Sequence, residues 1–173
     1  MNKKIWSGMI IGLALLGCIL IVVNNAKEEP QSNISSSLNG IALHNLQDDK
    51  LMNVAYTDKP TVLSFFTSWC TYCNMDAPKM VALYEKYKDR VNVYGVNLID
   101  RDEREEVVKY VERHEIPYPV LLDANGDVFR QYNGRGFPTL YFIDRSGKVT
   151  DAIIGSSEMD TIEAAFKKLA KHG

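Results

Sequence analysis

The chain is poor in cysteine. It has three in 173 residues, Cys18, Cys70 and Cys73, too few for a disulfide framework, so a disulfide-dense scaffold is excluded. It also lacks a charge excess: 20 Lys+Arg stand against 22 Asp+Glu, a net of −2, and the lysines are scattered rather than striped. Nucleic-acid binding thereby loses its main electrostatic term. There is no collagen-like period and no internal repeat. With 46% hydrophobic and 24% charged residues, the composition is that of a folded domain rather than a disordered chain. The three histidines, His44, His114 and His172, are isolated and show no metal-ligand spacing.

What is present begins with a run of 19 uncharged residues, Ile5 to Val23, about 28 Å long as a helix and close to the thickness of a bilayer's hydrocarbon core. Residues 1–4 contain Lys3 and Lys4 and no acid, so they read as a cytoplasmic leader, and 5–23 as a transmembrane anchor or signal segment. The positive-inside rule then puts everything after Val23 outside, in an oxidising space. Three readings of the run compete: an uncleaved anchor, which is favoured; a signal peptide, for which Val22–Ala26 offers a weak cleavage site; and a lipoprotein signal, since Leu15-Leu16-Gly17-Cys18 resembles a lipobox. All three deliver the same domain to the same side of a bacterial cell membrane. Residues 24–37 are polar, contain Pro30 and read as a flexible linker. That leaves 38–173 as one domain of ordinary size.

Within it, Ile41–Leu46 alternates apolar and polar residues as a half-buried strand does, and Thr61–Phe66 is nearly all apolar or β-branched, as a strand buried on both faces is. Val91–Leu98, Pro119–Leu122 and Thr139–Ile143 are further strands, the last two stopped by Asp/Asn/Gly turns, and Lys148–Ile154 completes a hairpin. Helical spacing appears in three places. Ala77, Met80, Val81, Tyr84 and Tyr87 mark a helix from about Cys70 to Lys88; Arg104, Val107, Val108 and Val111 mark one over 103–115; Met159, Ile162, Phe166 and Leu169 mark a third, opened by Ser157 and Asp160 as a capping pair. Strands alternating with helices predict an α/β fold, a central sheet covered on both faces.

Cys70 and Cys73 stand three positions apart at the start of a helix, so their side chains share a face and are close enough to be bridged. At a helix N-terminus, free N–H groups and the dipole favour an anion, which lowers the pKa of Cys70 and predicts it as nucleophile; Cys73, one turn further in, is the resolving thiol. Other uses of the pair fit less well. A zinc half-site lacks a second C-x-x-C, haem attachment needs a histidine where Asn74 stands, and a structural bridge across so short a loop removes little unfolded-state entropy. A peroxidase needs a single cysteine in a different loop setting. Trp69 is expected to add apolar surface beside the active sulfur.

Ser68-Trp69-Cys70-Thr71-Tyr72-Cys73 after a buried strand, Pro78 inside the following helix, and Gly136-Phe137-Pro138-Thr139 before a later strand together resemble the thioredoxin superfamily. With the N-terminal anchor and the helix over 103–115, the chain is similar to the TlpA/ResA-like membrane-anchored thiol-disulfide oxidoreductases, StoA-type proteins included. The resemblance implies a thioredoxin-like fold with a mixed sheet, a cis bond before Pro138, substrate contact through Trp69, Phe137, Pro138 and Thr139, and Asp76 as proton handler. The aspartate that thioredoxins often carry six residues before the first cysteine is replaced by Ser64. The implied partners are disulfide-containing proteins, among them apocytochrome c or envelope and spore proteins, and a CcdA-like membrane electron donor; no cofactor is needed and a monomer is expected. The alternatives that stay open are a dithiol oxidase and a copper- or zinc-delivery protein.

Overall fold

The computed structural model describes residues 40–173. The expectations about the anchor, the linker and Cys18 lie outside those residues. Seven strands, β1 Ile41–Asn45, β2 Leu51–Val54, β3 Thr61–Phe66, β4 Asn92–Asn97, β5 Val120–Leu122, β6 Thr139–Ile143 and β7 Val149–Ile154, form one sheet in the order β2-β1-β5-β4-β3-β6-β7. β3, β4 and β5 run parallel; β1, β6 and their outer neighbours pair antiparallel. The helices are α1 Thr71–Tyr87, α2 Arg104–Arg113, α3 Asp127–Gln131 and α4 Met159–His172, with a 3-10 turn at Ile99–Arg101. This is a thioredoxin-like α/β fold with a mixed sheet flanked by helices.

The alternation along β3 explains the two layers. Val62 and Phe66 face a core filled by α1, α2 and α4, with Met80, Leu83, Val107 and Phe166 fully packed; Leu63 and Phe65 face a second core closed by α3 and by Tyr56, Tyr132 and Tyr141. Among the described residues no helix is long and apolar enough to cross a membrane.

Several local readings are corrected. β2 and α3 were not anticipated: β2 buries only Val54 and so carries no alternation, and α3 has five residues, too few to show a period. In α1 the expected Ala77, Met80 and Tyr87 are buried and Leu83 joins them, while Val81 and Tyr84 lie at the margin. In α2 the buried stripe is Val107 and Tyr110, while Val108 is exposed. Ser157 and Asp160 do not form a capping pair: Glu158 occupies the N-cap of α4 without a side-chain bond, and the Ser157 carbonyl accepts from Lys79 Nζ at 2.6 Å.

Strand polarity fixes where the first and last described residues fall. β1 is antiparallel to β5 with His44 opposite Leu122, and β5 and β3 both parallel β4, so Ile41 begins at the end of the sheet where β3 finishes at Phe66. Gly173 lies at the other end, against Pro60, the residue that leads into β3, with its carbonyl accepting from Arg145 Nε at 3.1 Å.

Candidate active site

β3 ends at Phe66, and α1 begins at Thr71 after four intervening residues. Cys70 is the N-cap of that helix in extended conformation (φ −73°, ψ 116°), and its Sγ accepts the Cys73 N–H at 3.2 Å. The sulfur thus does what a serine or aspartate oxygen does at other helix starts, satisfying one of the free N–H groups. Both cysteines are unbridged. Cys70 is 7% exposed and Cys73 2%. Burial pushes the Cys73 thiol well above its ordinary value, helped by the hydrogen bond and charge of Cys70 and by the charge of Asp76, against a smaller opposing pull from the Thr67 backbone.

The loop before the cysteine is held from outside. Asp102 accepts the Ser68 N–H at 2.6 Å and the Ser68 hydroxyl at 2.5 Å, and is itself fixed by Asn97 Nδ2 at 2.8 Å. The Trp69 indole donates to the Arg101 carbonyl at 2.8 Å. On the inner side, Tyr110 of α2 donates its hydroxyl to the Cys73 carbonyl at 3.0 Å and stacks on Phe66. Sequence reading missed Asp102, Asn97, Tyr110, Asn74 and His114. The available signal was the crowding of polar residues after β4, which carries no pattern of its own.

The Phe137–Pro138 bond is cis. Thr139 is fully buried and donates its hydroxyl to the Gly136 carbonyl at 2.7 Å, so its side chain braces the turn; the Pro138 carbonyl accepts from the Gly155 N–H at 2.8 Å. Among the described residues the peptide N–H and C=O of Phe137 have no hydrogen-bond partner. Phe137 stands edge-on to Trp69 with ring centroids 6.4 Å apart and stacks on Phe129 at 5.0 Å. Trp69, Tyr72 and Met75 are 63%, 60% and 56% exposed, an apolar rim around the buried sulfurs.

Beneath the rim, Cys73, Asp76, Ser64, Tyr118 and Pro138 line a cavity of about 10 Å³, the size of one water molecule. Asp76 is buried, and its Oδ1 accepts from Lys79 Nζ at 2.8 Å and Ser156 Oγ at 2.6 Å. The structure therefore gathers Cys70, Cys73, Asp76 and Pro138, sets Trp69 beside Phe137, and turns Thr139 inward. Among the described residues no three His, Cys, Asp or Glu side chains gather into a metal-binding group.

A dithiol at a helix start, facing a cis-proline turn on a mixed sheet, defines a thiol-disulfide oxidoreductase of the thioredoxin class. The model of the AhpC/TSA family matches residues 35–152, and the chain belongs to that family. It is similar to the thiol-disulfide oxidoreductase ResA of Bacillus thuringiensis subsp. konkukian, 29% identical over 166 residues, 93% of this chain and 94% of that protein. The thioredoxin-like protein YneN of Bacillus subtilis is 28% identical over 106 residues, 61% of this chain and 62% of that one. Among solved structures, the exposed lipoprotein thioredoxin of Streptococcus pneumoniae superposes with a TM-score of 0.66 at 26% identity, covering 75% of this chain and 99% of the other. StoA from Bacillus subtilis gives 0.62 at 21% identity over 72% and 94%, a likeness of fold.

Proposed function

We propose that the chain is a membrane-tethered reductase of protein disulfides outside the cytoplasmic membrane. The observation that carries the chemistry is the cap: Cys70 Sγ sits at the mouth, bonded by the N–H of the thiol that stands buried behind it. An N–H···S bond of this kind is stronger to a thiolate than to a thiol. Cys70 attacks one sulfur of a substrate disulfide; that S–S bond breaks, the second substrate sulfur leaves as thiolate, and a mixed disulfide forms. The charge on Cys70 is one of the causes that hold Cys73 protonated. Once Cys70 is bonded to substrate, that charge is gone and Cys73 ionises more readily, so the resolving thiol becomes reactive when it is needed. Asp76, whose Oδ2 has no partner among the described residues, takes the proton. Cys73 then attacks Cys70 Sγ, closing the Cys70–Cys73 disulfide and breaking the mixed disulfide; the substrate leaves two electrons richer, as two thiolates that take their protons from solvent.

The free backbone of Phe137 beside Pro138 suits pairing with an extended substrate segment, and Trp69 supplies apolar contact. The N-terminal run supports anchoring, and the likeness to ResA covers too much of the chain to omit that run as a whole. Outside the membrane no glutathione pool recharges the dithiol, so electrons arrive through a membrane partner of the CcdA type. Apocytochrome c and envelope or spore proteins are the candidate substrates.

Cys73→Ala is expected to accumulate substrate as a mixed disulfide on Cys70, identified by mass spectrometry, and Cys70→Ala to lose reductase activity entirely. No adduct on the first variant overturns the mechanism. Equilibration with glutathione tests direction: a potential near about −120 mV makes the chain an oxidase instead. Stoichiometric copper or zinc on the purified protein makes it a metal-delivery protein.

A further inference from the structure

Asn74, the residue after the resolving cysteine, uses every hydrogen-bonding site of its side-chain amide. Nδ2 donates to the Ser68 carbonyl and to the Cys70 carbonyl, both at 2.9 Å. Oδ1 accepts from His114 Nε2 at 2.9 Å and Arg113 Nη1 at 3.3 Å. Since Oδ1 only accepts, Nε2 is the protonated nitrogen of His114; reversing the amide would aim its oxygen at two carbonyls, so the network admits one orientation. The His114 ring also packs edge-on against Tyr110, centroids 4.7 Å apart, and Tyr110 holds the Cys73 carbonyl. The carbonyls of Ser68, Cys70 and Cys73 are therefore all tied, directly or through Asn74, to the C-terminal half of α2.

We propose that Asn74, oriented by His114, is a positioning residue that sets the reactivity of the dithiol by pinning the carbonyl side of the 68–70 loop to the first turn of α1. The inference rests on the reading of Cys70 as the attacking thiol. Asp102 holds the same loop by the Ser68 N–H and hydroxyl, which fixes one side of the strand-to-helix turn and leaves the other to Asn74. Without the Asn74 amide the Ser68 carbonyl is released and the Cys70 carbonyl keeps only the backbone N–H of residue 74, at 3.1 Å, so the loop is held on the Asp102 side alone and the sulfur is less firmly placed on the Cys73 N–H. Attack and resolution both depend on that placement, and displacements near 1 Å are costly to reaction rate.

The test uses the reduced full-length chain in detergent, with Cys70 modification by iodoacetamide followed by peptide mass spectrometry and the dithiol equilibrated with glutathione. Asn74→Ala is expected to slow Cys70 alkylation about fivefold and to shift the equilibrium toward the disulfide by a similar factor, the size of one lost hydrogen bond. His114→Leu should reproduce both changes. His114→Gln, which keeps an N–H donor, should stay within about twofold of the unaltered chain on the same scale. The proposal is overturned if Asn74→Ala melts earlier yet keeps the original rate and equilibrium, or if His114→Gln behaves as His114→Leu. The His114 pair decides the matter on its own should Asn74→Ala not fold. Failure of the underlying reading looks different: Cys70 of the unaltered chain would then react no faster than after denaturation.

Discussion

Two sulfurs three residues apart differ because one caps the helix and the other lies inside it. Cys70 borders solvent under the Trp69–Tyr72–Met75 rim, whereas Cys73 is buried, its thiol pushed up by burial and by the neighbouring sulfur and carboxylate. At neutral pH iodoacetamide is therefore expected to modify Cys70 and spare Cys73 until the chain is unfolded, a difference that peptide mapping reads directly. His114 gives a second residue-scale expectation. Burial, and then the charge of Arg113, lowers its value below the ordinary 6.5. The unfolded chain accordingly binds the proton first as pH falls, so the contribution of His114 to stability is full above about 6.5 and is lost as pH drops through the lowered folded value. Glu163, which Lys167 and Lys86 hold down to about 2, loses its contribution only in stronger acid. Urea midpoints measured from pH 7 to 5 should consequently fall less for His114→Gln than for the unaltered chain. The cysteine pair was legible in the sequence because its spacing is local; the partners of Asn74 were not, since Ser68 precedes it while His114 lies 40 positions further along.

Among elements, those with a repeating burial pattern were readable and those fixed by a few distant contacts were not. β3 was bounded correctly because all six of its residues are buried and Pro60 precedes it. The segment from Ile99 to Asp102 shows no period, yet it clamps the nucleophile loop through a side chain 34 residues from its partner. Asp102→Asn keeps the shape but has one acceptor oxygen where four donors converge; it is expected to cost about 1–3 kcal/mol in urea unfolding and to raise the mobility of residues 68–70. α3 is equally invisible to periodicity. It is started by Asp123, whose buried carboxylate accepts the Phe129 N–H at 2.9 Å, and Phe129 then fills the second core and stacks on Phe137. Gly134 allows this: a β-carbon there would stand 2.1 Å from the Phe129 ring. Gly134→Ala should therefore destabilise the chain by about 1–3 kcal/mol through overpacking, seen as a lower thermal midpoint.

On the scale of the molecule, the fold class followed from the alternation of strands and helices, but the sheet order and the two poles it creates are consequences of pairing that no local pattern encodes. β1 joins the sheet antiparallel to β5, so the leading residues of the domain arrive at the pole that bears Cys70, while Gly173 rests against Pro60 at the other. The gap across the sheet from β1 to β3 is three strand spacings, roughly 14 Å. A segment joined to the domain at Gly40 is thus attached at the pole of the mouth rather than at the opposite one. Fusing a bulky globular partner just before Gly40 should obstruct large protein substrates while sparing small disulfides, and the same cargo appended after Gly173 should hinder neither.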